Sequence, residues 1–105
     1  MGEENRELVL DKAAEEELVA AVSWYEQRKP GVGEDFLVAV EATFELIQRF
    51  PQIGRLRPAD AKERRVRKLS VEGFPFSVMY REMPNGIYVV AIAHDRRRPG
   101  YWRRR

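Results

Sequence analysis

Apolar positions change their spacing once along this chain, from a helical period in the first half to alternation in the second. Ala14, Leu18, Ala21, Val22 and Tyr25 recur three or four residues apart, which gathers them on one stripe of a helix. Asp11 stands where a carboxylate accepts from the free amides of a first turn. Glu15, Glu16 and Glu17 follow where the helix dipole favours negative charge, and Pro30-Gly31 stops the run after Arg28 and Lys29. A second helix begins near Gly33 with Glu34 and Asp35 in its first turn, turns Phe36, Leu37, Val40, Phe44 and Ile47 inward, and ends at Phe50-Pro51. The link between the two, centred on Lys29 to Gly33, is short enough to predict an antiparallel helical hairpin.

Before the first helix, Glu7 to Leu10 reads as a short strand. From Gln52 to Lys62 the composition turns to Gly, Pro, Arg and Asp without a period, which predicts a surface connection. Then the period becomes two. Arg64 to Ser70 carries Val66 among cations, and Phe74, Phe76, Val78 and Tyr80 share one face of a further strand. Pro75 has no amide proton to donate, so it belongs at the start of that strand or on an edge. Pro84-Asn85-Gly86 predicts a hairpin turn through residues that tolerate positive φ. Ile87 to Ala93 is apolar on both faces, as a central strand covered on at least one side would be. The order strand, helix, helix, strand, strand, strand predicts an α+β fold. In it the helical hairpin packs on a small antiparallel sheet, and the first strand pairs with a three-stranded meander.

A chain of 105 residues has room for one domain, spanning 1–105. It has no cysteine, so disulfides and thiolate metal sites are excluded, and one histidine with scattered carboxylates offers no metal-ligand spacing. No cofactor is expected. No apolar run approaches the ~20 residues that span a bilayer, and the reading is a cytoplasmic protein that does not engage a membrane. The formal charge of +2 conceals a polarity: residues 1–51 hold 5 Lys/Arg and 12 Asp/Glu, whereas residues 52–105 hold 14 and 5. The second half is basic enough to take an anion or an acidic partner, beyond what docking onto the acidic half absorbs.

Candidate chemistry gathers at the end of the chain, where the last apolar strand runs into His94-Asp95-Arg96-Arg97-Arg98-Pro99-Gly100-Tyr101-Trp102. Arg96, Arg97 and Arg98 suit bidentate contact with phosphates, and His94 is a residue type that exchanges protons near neutral pH. Tyr101 and Trp102 either join that surface or pack the chain end onto the core, and Arg103, Arg104 and Arg105 read as a tail. Alternation around Val66 sends Arg65 and Arg67 to one side as a short cationic ladder, serving either as a solvated face or as a contact for an anion or partner. Trp24 lies about 100° from the core stripe, at an edge of the core or open to a partner. Ser23, Ser70 and Ser77 stand in no nucleophile elbow, and Gly31-Val32-Gly33 alone makes no phosphate loop.

Taken together, Ala20-Ala21-Val22-Ser23-Trp24-Tyr25-Glu26, Pro30-Gly31-Val32-Gly33, Phe36-Leu37, Phe74-Pro75-Phe76, Val78-Met79-Tyr80 and the closing Ala91 to Trp102 resemble the RelE/ParE superfamily of small bacterial toxins. The order is that of the family and covers nearly the whole chain. The resemblance implies a toxin of a type II toxin–antitoxin system, silenced by a cognate antitoxin that wraps over it. Phe74-Pro75-Phe76 and the His-x-Arg-Arg-x-Pro-x-Tyr-Trp ending look more like the ParE branch. That branch implies a plasmid-stabilisation protein that inhibits DNA gyrase by binding, with a ParD-like antitoxin. The RelE branch implies instead a ribosome-dependent mRNA endonuclease, for which His94, Arg96 and Tyr101 would be the catalytic set, although Ser77 stands where many such nucleases carry arginine. On this reading Arg65, Arg67, Arg96, Arg97, Arg98, Tyr101 and Trp102 meet the target or an anion. Arg65, Arg67 and Trp24 meet the antitoxin.

Overall fold

The computed structural model describes residues 6–56 and 65–105. Its elements are β1 (Glu7–Leu10), α1 (Lys12–Arg28), α2 (Val32–Arg49), β2 (Arg55–Leu56), β3 (Arg67–Ser70), β4 (Phe76–Met83) and β5 (Gly86–His94). Two helices pack on a five-stranded sheet of order β1-β5-β4-β3-β2. The α+β reading holds, with two corrections. The stretch read wholly as a connection contains β2, which pairs with β3, while residues 57–64 lie outside the described residues. The sheet is mixed: β1 runs parallel to β5, and every other pairing is antiparallel.

Local chemistry fixes the hairpin. Asp11 accepts from the Ala13 amide at 2.9 Å and caps α1. The first residue before α2, Gly31, has no side chain to offer, and Glu26 of α1 takes over: its carboxylate accepts from the amides of Gly31 at 2.9 Å and Gly33 at 3.0 Å. Gly33 is required by closeness, since a Cβ there would stand 2.6 Å from the Val22 carbonyl oxygen.

Both faces of the sheet are buried over part of their area. Toward the helices, Val71, Val78, Tyr80, Ile87, Val89 and Ile92 pack with Ala14, Ala21, Phe36, Val40 and Ile47, and Phe74 and Phe76 join Tyr25 and Phe36 in an aromatic cluster. On the opposite face Val66, Met79, Val90, Ala91 and Ala93 surround Trp102. A register shift between Met79 and Tyr80 leaves Val90 as the extra residue of a β-bulge, so Val90 and Ala91 both join this second core. Pro75 directly precedes β4, where a missing amide proton costs no ladder bond.

The β4–β5 turn differs from its expectation. Met83 pairs with Gly86, so Pro84 and Asn85 alone form the loop. Among the described residues positive φ occurs only at Arg65, Gly31, Gly73 and Gly100, and the turn uses none. Gly86 has a different purpose: any side chain there would collide with the Glu7 carbonyl of the parallel strand β1.

Candidate binding cleft

Register decides which side chains meet. Residues opposite one another in antiparallel strands share a face, so the pairs Arg55–Lys68, Lys68–Met79, Ser70–Ser77 and Ser77–Ala93 line up on the side of the sheet away from the helices. The chain beyond β5 folds back along this face, held by Asp95 N–H donating to the Pro75 carbonyl at 2.9 Å and by Ser77 Oγ donating to Asp95 Oδ1 at 2.7 Å. Between the two lies a cleft of about 860 Å³ with an apolar floor that includes Ile53, Met79, Ala93 and Trp102. Its cations come from opposite walls, Arg55 and Lys68 on one and Arg97 and Arg98 on the other.

The returning segment is anchored twice. Trp102 is 2 % exposed in the second core. Glu17 of α1 holds the rest: its carboxylate accepts from the Tyr101 hydroxyl at 2.7 Å, from both terminal nitrogens of Arg105 at 2.9 and 3.0 Å, and from the Ile92 amide at 3.0 Å. Arg105 also donates to the Val90 carbonyl at 3.1 Å. Because β1 pairs only with Gly86 to Val89, these two backbone groups lie on the stretch of the β5 edge that β1 does not reach, where side chains satisfy them. Arg105 is therefore part of the fold, not of a tail.

The expected ladder of Arg65 and Arg67 does not form. Arg65 lies before β3 with φ 51°, which breaks the alternation. Arg67 pairs with Tyr80 on the helix-facing side, and its guanidinium donates to the Gly54 carbonyl at 2.8 Å, where Tyr80 also bonds Pro51 and Gly54. The cleft's cation from this strand is Lys68, on the same face as Val66. His94 borders the cleft, but its ring stacks edge-on against Phe76 at 5.1 Å, and its Nδ1 accepts from the Arg96 amide at 3.0 Å. Arg96 and Arg98 are exposed, while Arg97 stacks over the Tyr101 ring at 3.8 Å. Trp24 is 50 % exposed at a distance from these groups in sequence, with Arg28 stacked 3.7 Å from its ring centre.

The expected site left out Glu17, Arg55 and Lys68. Glu17 carried a signal, since it is three residues after Ala14 and four before Ala21, on the flank of the inward stripe where a carboxylate needs partners.

All four tyrosines have their ionisation pushed above the ordinary phenol range: Tyr25, Tyr80 and Tyr101 chiefly by burial, and Tyr88 chiefly by donating to Asp11 at 2.6 Å. Tyr101 is shifted furthest, with the Glu17 bond adding to burial. A raised folded-state value favours the fold while the unfolded chain's tyrosines stay protonated. That contribution is lost as pH climbs past about 10, where the unfolded ensemble ionises first. Tyrosinate absorbance in a pH titration should therefore rise at higher pH than free tyrosine does, with Tyr101 ionising last and together with loss of circular dichroism. A tyrosine that ionises at or below the free-phenol value would contradict this.

Residues 8–99 match the model of a family described as the ParE toxin of the type II toxin–antitoxin system parDE. The fold is similar to that of a chain in the chromosomal ParDE toxin–antitoxin system from P. aeruginosa, with a TM-score of 0.70 and 22% identity over 85% of this chain and 95% of that one. No functionally curated protein has a sequence that matches this one.

Proposed function

Because the chain belongs to the ParE toxin family of type II toxin–antitoxin systems, we propose that it inhibits DNA gyrase by binding and is neutralised by a cognate ParD-like antitoxin. The work is done in the cytoplasm and needs no cofactor; among the described residues no helix is long and apolar enough to cross a membrane. The observation that carries a binding mode of action is the commitment of the proton-transfer candidates. The Tyr101 hydroxyl donates to Glu17, and its raised pKa keeps it protonated, so the base form is not populated near neutral pH. The His94 ring is stacked on Phe76, which packs with the helix-side core and not with the cleft floor. What remains presented is fixed positive charge. Arg96, Arg97 and Arg98 sit on a segment that Tyr101 and Trp102 tie down, and a surface that traps an enzyme holding cleaved DNA gains from such charge. Arg67, whose guanidinium is committed to the Gly54 carbonyl on the helix-facing side, is left out of that surface.

The test is biochemical and has two arms. The purified chain should make gyrase accumulate cleaved DNA in a supercoiling reaction, and should leave messenger RNA intact on translating ribosomes. Codon-dependent RNA cuts that His94→Ala slows by orders of magnitude, with gyrase unaffected, would replace this reading by ribosomal cleavage.

A further inference from the structure

Resting on that reading for its target, we infer that Asp95 is a specificity-determining residue of the cleft: its carboxylate bars free nucleic acid from a site whose other charges attract it. The described lining holds the cations Arg55, Lys68, Arg97 and Arg98, and Asp95 is its one carboxylate. Cations on two facing walls invite a phosphodiester strand, and DNA and RNA offer such strands in excess over any protein target.

The negative charge is surplus to the structure. Ser77, 1% exposed, donates from Oγ to Asp95 Oδ1 at 2.7 Å, an acceptor that an asparagine oxygen supplies equally well. The backbone tie uses the Asp95 amide, which donates to the Pro75 carbonyl whatever the side chain. The turn that follows is closed by the preceding residue: His94 Nδ1 accepts from the Arg96 amide, and the His94 carbonyl from the Arg97 amide. Among the described residues no ion pair joins Asp95 to an arginine or lysine, whereas Glu17 pairs with Arg105. A buried hydroxyl thus pins among the cations a charge that the fold itself does not use.

A fixed anion in that place acts through what it repels. Every phosphate of a strand is charged, so a strand laid between the walls sets a like charge against Asp95. A protein surface avoids that cost. It can place acidic side chains against Arg55, Lys68, Arg97 and Arg98 and turn a hydrogen-bond donor toward Asp95. The exposed arginines still draw the chain toward an enzyme that holds DNA, while Asp95 keeps free strands from filling the cleft first.

The experiment compares two variants of equal net charge. Asp95→Asn keeps the acceptor for Ser77 and removes the charge. Glu82→Gln removes a charge from an exposed position of β4 that pairs with Ile87 of the helix-side core, outside the cleft lining. Fluorescence anisotropy at several salt concentrations measures binding of labelled oligothymidylate and oligouridylate of about 15 nucleotides. Asp95→Asn should bind both on the order of 10-fold tighter than the unaltered chain, with a salt slope steeper by about one, and Glu82→Gln should stay within about 2-fold. In the supercoiling reaction, excess unlabelled oligonucleotide should relieve inhibition by Asp95→Asn and leave inhibition by the unaltered chain in place.

Equal binding by all three proteins, or submicromolar binding by the unaltered chain, overturns the inference. So does a melting temperature that falls at low salt in Asp95→Asn with oligonucleotide binding unchanged, which makes Asp95 a counter-charge for its own arginines. If the unaltered chain leaves gyrase unaffected while the oligonucleotide contrast holds, Asp95 still guards the cleft and the gyrase reading alone falls.

Discussion

Replacing Trp102 by alanine is expected to cost about 3–5 kcal/mol, the usual range for removing a large aromatic from a packed core. The indole is 2% exposed and is the largest side chain in the second core, filling the space over Met79, Val90, Ala91 and Ala93. Three of those neighbours are alanine or a bulged valine, too short to close over the void, so the site cannot relax far. For a domain of this size the loss corresponds to a melting temperature lower by roughly 15–30 °C. The effect should be uneven. The helix-side core around Phe36, Tyr80 and Val89 does not touch Trp102, so amides there should keep more hydrogen-exchange protection than those of residues 95–105. Trp102→Phe should restore a large part of the stability and with it whatever toxicity the alanine variant loses. Equal melting temperatures for Trp102→Ala and the parent would mean that the returning segment is not packed as described.

The helices and the helix-facing core were legible because one period and one buried face determine them. Asp11, the stripe from Ala14 to Tyr25, the stop at Pro30-Gly31 and the shared face of Phe74, Phe76, Val78 and Tyr80 all appear as read. The opposite face was not legible, for a physical reason. Its core is built from small residues, Ala91 and Ala93, that leave no strong pattern, and from Trp102, which reaches them only after the chain turns back on itself. Treating one face as solvated sent Arg65 and Arg67 outward together. With both faces in use, Val66 points into the second core, Lys68 follows it into the cleft, and Arg67 is drawn to the Gly54 carbonyl. Two short signals were too weak to read at all: the two residues of β2, and the parallel direction of β1.

Removing the carboxylate of Glu17 should have the second-largest effect. Glu17→Ala leaves the Tyr101 hydroxyl, the Ile92 amide and the Arg105 guanidinium without their shared acceptor, and a buried group stripped of its partner costs about 1–3 kcal/mol. The three do not add, because Arg105 is partly open to water and the freed segment can shift to solvate the hydroxyl, so a total of about 2–4 kcal/mol is expected. The test separates a shared node from independent contacts. If Glu17, Tyr101 and Arg105 act as a unit, Arg105→Ala placed on Glu17→Ala should cost far less than Arg105→Ala alone, and the Ile92 amide should lose protection in every variant that lacks the carboxylate. Glu17→Gln, which keeps an acceptor oxygen but not the charge, should fall between. Strictly additive losses, with the Ile92 amide still protected, would show that the β5 edge holds without Glu17. The display of Arg97 and Arg98 would then rest on Trp102 and on the bonds of Asp95 to Pro75 and Ser77.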